Sequence, residues 1–270
     1  ERLAVQNGLS QSLGKAVKNA KRRSSIVRDV MLVLAGARCA LLWDQCTVIG
    51  VVADDDGMVC KDSITLPELE NFRRQLCSAC PTADCLRWLC LGPSLLLVNM
   101  TRLVAKLESD QAVQLQALQL IAIDRSLLNP RPCTPTEAES QRDQLFRIGH
   151  EILGLLQSSE NGVVRTSMST LTGDGAALRV LVPMHGWLLG YPFAYCFVND
   201  DLTNMQAGSC LGQQLVRVFR VSVSCHVDKG DALKKHTAEQ HTICSFSCPV
   251  HIVESSAHAK HLVTWWEAHK

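Results

Sequence analysis

Apolar and polar positions along the 270-residue chain alternate with a helical period first and a strand period later. The N-terminal third reads as helical. Leu3, Leu9 and Leu13 begin it, and Ile26 to Leu34 keeps helical spacing until Ala35-Gly36 closes the turn. "CALLWD", Cys39 to Asp44, is a compact apolar run ending on a polar residue, the pattern of a short buried strand. Thr47 to Val52 predicts a second strand, with Asp54-Asp55-Asp56-Gly57 as its turn. Leu66-Pro67-Glu68 opens a helix towards Cys77, because a proline N–H would have had no intrahelical partner in the first turn. "SLLLVN", Ser94 to Asn99, predicts another buried strand. Val113 and Leu115 alternate with Gln114 and Gln116, so the stretch to Ile123 is read as strand, although its glutamines and leucines also suit a helix.

"NPRPCTP", Asn129 to Pro135, is the best linker in the chain and marks a candidate internal boundary in what is otherwise a single domain over residues 1–270. After it, Thr136 and Glu139 fit a capping box. Leu145, Ile148, Ile152, Leu155 and Leu156 follow as one apolar stripe, with His150 on the opposite, solvated face. From Gly162 the period becomes two. "VVRTSMSTL" and "AALRVLVP" flank Thr172-Gly173-Asp174-Gly175 as a hairpin would. Tyr191 to Val198, Leu215 to Cys225 and Thr242 to Val253 predict further strands. A C-terminal amphipathic helix is expected to dock Leu262, Trp265 and Trp266 on the sheet. N-terminal helices with a few buried strands, then a mainly antiparallel sheet and a C-terminal helix, define the α+β class.

Composition narrows the function classes. With 47% hydrophobic and 20% charged residues the chain is far from the disordered regime and can bury a sizeable core. Its 27 basic and 26 acidic residues leave a net charge of +1, which gives no long-range attraction to nucleic acid or an anionic membrane surface. The basic run Lys15, Lys18, Lys21, Arg22 and Arg23 fits a solvated helix end better than a localisation signal. Arg38 and Asp44 interrupt the longest apolar stretch, Val30 to Val52. Each such charge costs about 2.5–3.5 kcal/mol at the centre of a membrane helix, so no span is expected. The sequence begins at Glu1, and a leader removed upstream stays open. The 13 cysteines are odd in number and sit in apolar runs such as "ARCALLW" and "YCFV", which fits buried free thiols in a reducing cytoplasm rather than a secreted cross-linked framework. The sequon Asn99-Met100-Thr101 is then expected to stay unmodified.

Chemistry-bearing groups are few. Cys77-x2-Cys80-x4-Cys85-x4-Cys90 has the spacing of a zinc knuckle with cysteine in place of the usual histidine, a module that can hold single-stranded RNA. The segment has no glycine to fold the backbone around a metal, and Arg87 is its one basic residue. Cys85, Trp88 and Leu89 share a helical apolar face, so the four thiols are read as packing groups and no metal or other cofactor is expected. His236, His241, Cys244, Cys248, His251, His258 and His261 form a second cluster. On a strand Cys244 and Cys248 would share the face of Phe246, and His251 would point away, so one strand cannot gather them. Asp44 followed by "QCTV" matches part of the phosphotransferase pattern D-x-D-x-T, but Cys46 replaces the general acid. Asp54 to Asp56 reads as an acidic turn rather than a magnesium site. No G-x-S-x-G, P-loop, G-x-G-x-x-G or H-E-x-x-H occurs, and Cys196, between Tyr195 and Phe197, reads as a core thiol.

The most distinctive segment is "HGWLLGYPFAYCF", His185 to Phe197. Gly190 permits a sharp turn, Pro192 starts a strand where no ladder donor is needed, and both tyrosines of the chain fall here. Tyr191 and Tyr195 are four apart and share a strand face, and buried hydroxyls on that face need partners. "ALLWD" (Ala40 to Asp44) together with "LLGYPFAYCF" (Leu188 to Phe197) resembles an uncharacterised eukaryotic family known only by a chromosome 1 open-reading-frame label and a domain of unknown function. That resemblance spans nearly the whole chain and implies a single intracellular domain with no established activity, and it assigns no catalytic residue. With no complete catalytic set in the sequence, a non-enzymatic interaction protein with a protein partner is the first reading. An enzyme using Asp44, Tyr191 and Tyr195 is the alternative, and a zinc-dependent nucleic-acid binder through Cys77, Cys80, Cys85 and Cys90 is the third.

Overall fold

The structure is a computed structural model that describes residues 1–14, 17, 19–44, 48–49, 64–108, 118–123, 127, 129–159, 162–167, 170–171, 177–197, 208–212, 214–226 and 238–267. Cys46, Asp54 to Asp56, the 113–117 stretch, Thr172 to Gly175 and His236 lie outside them. The chain is α+β. Helices α1 (Arg2–Leu13) and α2 (Ala20–Leu34) lead into β1 (Ala40–Leu42), β2 (Val48–Ile49) and β3 (Ile64–Thr65). Helix α3 (Leu66–Ala79) and a 3-10 turn (Pro81–Cys85) precede the hairpin β4 (Leu86–Leu91) and β5 (Ser94–Asn99). Then come α4 (Met100–Glu108), β6 (Gln119–Ile123), β7 (Arg131–Pro132), α5 (Pro135–Ser158), β8 (Val163–Thr166), α6 (Ala177–Leu189) and β9 (Phe193–Phe197). The chain continues through α7 (Gly208–Gly212), the long pair β10 (Val216–His226) and β11 (Ala238–Pro249), α8 (Val250–Val253) and α9 (Ser256–Glu267).

The strands form a central sheet ordered β1-β5-β4-β8, a second ordered β7-β6-β9, the ribbon β10-β11, and the short pair β2-β3. In the central sheet β1, β5 and β4 are antiparallel neighbours, whereas β8 joins β4 in parallel. Leu86, Trp88, Leu89, Leu91, Leu96 and Val98 are fully excluded from water, so the hairpin is covered on both faces. One face packs on α1, α2 and α3, where Trp88 meets Trp43 edge-on at 5.3 Å and donates its indole N–H to the Leu69 carbonyl at 3.0 Å. The other packs on α4, α5 and α6 through Leu145, Ile148, Ile152, Leu156, Met184 and Trp187. A third cluster joins Ile121 and Phe193 to Phe246, Cys248 and Trp265 of the ribbon and α9.

Polar anchors fix where the elements meet. Asn99 is buried, donates its backbone N–H to Cys39 O and its amide to Val33 O, both at 2.8 Å, and accepts from the Arg102 N–H at 3.1 Å. The sequon amide is thereby consumed in the core. Helix α3 starts in a capping box between Thr65 and Glu68, with proline at the predicted place.

Several expectations change. The capping box of α5 is Thr134 with Glu137, two residues earlier than Thr136 with Glu139, because Pro135 takes the first helical position. Leu155 drops out of the buried stripe and is exposed, as is Trp266 on α9. From Ala177 onward "AALRVLVP" is helix α6, not a hairpin strand. Apolar side chains occupy so much of that segment that a two-residue period is matched by accident. Val180, Met184, Trp187 and Leu188, at helical spacing, are buried. Cys85 to Leu89 is a turn entering a strand rather than one helical face, since a strand buried on both sides loses its alternation. Val250 to Val253 ends β11 as a helical turn, which takes His251 out of the strand. Strands β8 and β9 pair in parallel with β4 and β6, which period alone does not encode. Asn129 to Pro135 is stitched to the sheet: β7 pairs with β6, and the Cys133 N–H donates to Leu120 O at 3.0 Å.

The start of α5 generates a prediction. Glu137 caps the Thr134 N–H and holds both arms of the Arg131 guanidinium at 2.7 Å, and that hydrogen-bonded ion pair lowers its carboxyl from 4.5 to about 2. The folded chain keeps the charge where the unfolded chain takes up a proton. Its stabilisation is therefore complete above the unfolded value near 4.5 and fades as pH falls towards about 2. Urea unfolding of Glu137→Gln between these limits is expected to show a shallower loss of stability with acid than the parent, and equal slopes would refute the assignment.

Candidate functional site

Asp44 stands exposed two residues beyond β1, and Tyr191 precedes β9 on the opposite side of the central sequence, yet their charges reach one another. Burial raises the pKa of the Tyr191 phenol, the Cys244 thiol and the Asp44 carboxylate raise it further, and the Arg38 guanidinium opposes them. Arg38 follows the Gly36 turn, whose φ of +70° requires glycine, and its Nη1 lies 3.9 Å from Asp29 Oδ1. Arg38, Asp44 and Cys244 thus each act electrostatically on the Tyr191 phenol, and Arg38 acts on the Cys244 thiol as well. Arg38 and Cys244 were not singled out in this role by the sequence; their signal is spatial.

Tyr195 has a different setting. Its hydroxyl donates to Ser247 O at 3.0 Å, tying β9 to β11, and burial raises its pKa to about 12. Both tyrosines pack on the cluster around Phe246, with the Tyr191 ring 6.2 Å from that phenylalanine, although Tyr191 precedes β9 rather than sharing a face of it.

The early cysteines are engaged locally, and Cys80 and Cys85 share Thr82. The Cys77 sulfur accepts from Arg73 at 3.5 Å, the Cys80 sulfur lies 2.9 Å from Thr82 Oγ1, and Cys85 donates to Thr82 O at 3.2 Å. Cys90 is buried in β4. Burial raises the thiol pKa of Cys77, Cys85 and Cys90, which opposes the thiolate that zinc needs. Among the described residues no group of three or more His, Cys, Asp or Glu side chains is placed to hold a metal ion. In the C-terminal cluster His251 faces Pro130 O at 2.8 Å, His258 faces Ser255 at 2.6 Å, and His261 faces Pro192 O at 3.2 Å. A wide-open groove of about 540 Å³ runs beside Cys85, Arg87, Thr101 and Gln157, away from the Tyr191 group.

The ribbon β10–β11 presents a contrasting surface. Phe219 and Val221 turn inward onto Phe246, while Val216 and Val218, 45% and 54% exposed, turn outward with Arg220. Leu215, just before β10, is 82% exposed.

An α+β domain with helices on both faces of a mixed central sheet, and a two-stranded ribbon packed beside the second sheet, is the class these elements define. The chain belongs to the family described as Domain of unknown function (DUF4504), matched over residues 9–270. No curated protein and no solved structure matches it. Among the described residues no helix is long and apolar enough to cross a membrane.

The tyrosine group is open to titration, since the chain has only 2 tyrosines. In a Tyr195→Phe background, Asp44→Asn is expected to lower the Tyr191 phenol pKa and Arg38→Met to raise it, read by ultraviolet difference absorbance. Titration curves that ignore both substitutions would separate Asp44 and Arg38 from Tyr191.

Proposed function

We propose that this domain acts by binding another protein, and that the β10–β11 ribbon is the surface it uses. The observation that carries the reading is the outward row Val216 and Val218, continued from Leu215, on a strand that pairs with β11 alone among the described residues. A long strand with an unsatisfied edge is a template for one more strand, and natural proteins leave such an edge uncovered where a partner pairs with it. Exposed Arg220 continues the apolar row, and Arg217, on the other face of the strand, engages Glu254 at 3.2 Å. The occupant this face fits is an extended segment of a partner protein with alternating apolar residues and an acidic flank. Main-chain ladder bonds would give the affinity and the valine row the register.

Selection from a random peptide library on the full chain tests this. Extended apolar-acidic peptides are expected to be enriched, and their binding is expected to slow hydrogen exchange at β10 amides. A Val216→Glu, Val218→Glu double variant is expected to weaken them about tenfold or more. Failure to enrich any peptide, or enriched peptides that bind the double variant equally well, would overturn the reading.

Catalysis around Tyr191 is the second reading, favoured by the mutual field of Asp44, Arg38 and the phenol. The tyrosine titration is its first check, because a phenol indifferent to Asp44 has no acid partner there.

A further inference from the structure

Cys133 lies between β7 and Thr134, the N-cap of the 24-residue helix α5, and Cys196 lies within β9. Strand β6 runs between them, with Ala122 in register with both Arg131 and Cys196. The two sulfurs meet over it at 3.1 Å. Cys133 is partly exposed and Cys196 is 0% exposed, so a reagent from solvent reaches the first before the second. The surroundings are polar despite the burial. Arg131, clamped by Glu137, and Arg142 both turn their positive charge on Cys133. Gln141, 4% exposed, gives its amide N–H to Phe197 O at 3.4 Å, and among the described residues its Oε1 has no partner, nor does the Nε of Arg142.

From this arrangement we propose that Cys133 and Cys196 are a redox-active dithiol, Cys133 attacking and Cys196 resolving, whose substrate is an acidic low-molecular-weight disulfide such as glutathione disulfide. A sulfur at a helix N-terminus among guanidiniums is where a thiolate is stabilised, and the same positive charge suits the carboxylates of that substrate. In keeping with this, the hydrogen bond from Cys196 and the two guanidiniums lower the Cys133 pKa against burial and Glu137. Burial moves Cys39, Cys77, Cys85, Cys90, Cys244 and Cys248 the other way.

The chemistry balances as follows. The Cys133 thiolate attacks one sulfur of the substrate disulfide; a Cys133–substrate S–S bond forms as the substrate S–S bond breaks, and one thiolate leaves. Cys196 then loses its proton and attacks the Cys133 sulfur, forming the protein disulfide and expelling the second thiolate. Both leaving thiolates take up the protons given up by the two cysteines. The protein dithiol loses two electrons, and the substrate is reduced to two thiols.

The test equilibrates the full chain in glutathione buffers of rising oxidation, alkylates remaining thiols and maps the peptides by mass. The expected result is a linked Cys133–Cys196 peptide pair, formed while Cys39, Cys90 and Cys248 remain thiols. Cys196→Ser is expected to trap glutathione on Cys133, and Cys133→Ser to leave Cys196 reduced. Arg142→Met is expected to slow trapping in the Cys196→Ser background about tenfold. Two free thiols in the parent at the most oxidising ratio, or glutathione on Cys196 in Cys133→Ser at the parent rate, would overturn the proposal. The peptide map of the parent decides the first point even if a variant fails to fold.

Discussion

The fold depends on covering both faces of the β4–β5 hairpin. A two-stranded hairpin is marginal in water, and this one carries leucines, a valine and Trp88 on both of its sides. Neither face is left to water, so helices are required on each. The N-terminal helices with α3 supply one cover, and α4, α5 and α6 the other. Everything placed on the far cover, including the second sheet and the dithiol at the head of α5, owes its position to that sandwich.

This double burial also explains what was legible in the sequence. The class, the strand at Ser94 to Asn99, the helix from Leu66 and the stripe of α5 follow from local pattern and capping chemistry, which act over a few residues. Legibility fails where apolar residues are too many. The 177–189 segment is apolar at most positions and the strand from Leu86 is covered on both faces, so their period carries little information. Partner choice is also hidden. Nothing local at Val163 or Phe193 tells that each strand runs parallel to one from the first half of the chain.

Site residues divide in the same way. Tyr191 and Asp44 stand out as unusual residues in apolar company, and the Asp44 charge acts on the phenol, whereas Arg38, which opposes it there, looks ordinary in the sequence. Cysteine spacing points to Cys77 through Cys90, where Cys77 meets Arg73 and Cys80 and Cys85 both meet Thr82. The close sulfur pair instead joins residues 63 positions apart. Such a contact is created by strand order, and no motif of short spacing could announce it.

The parallel β6–β9 pair has a consequence for biosynthesis. Strand β6 emerges from the ribosome well before its neighbour β9, with β7, α5, β8 and α6 between them. Until β9 follows, Gln119 to Ile123 has only the two-residue β7 on one side and an open, apolar edge on the other. Nascent chains halted between these points expose a sticky strand, so they are the species for which chaperone holding matters most during synthesis.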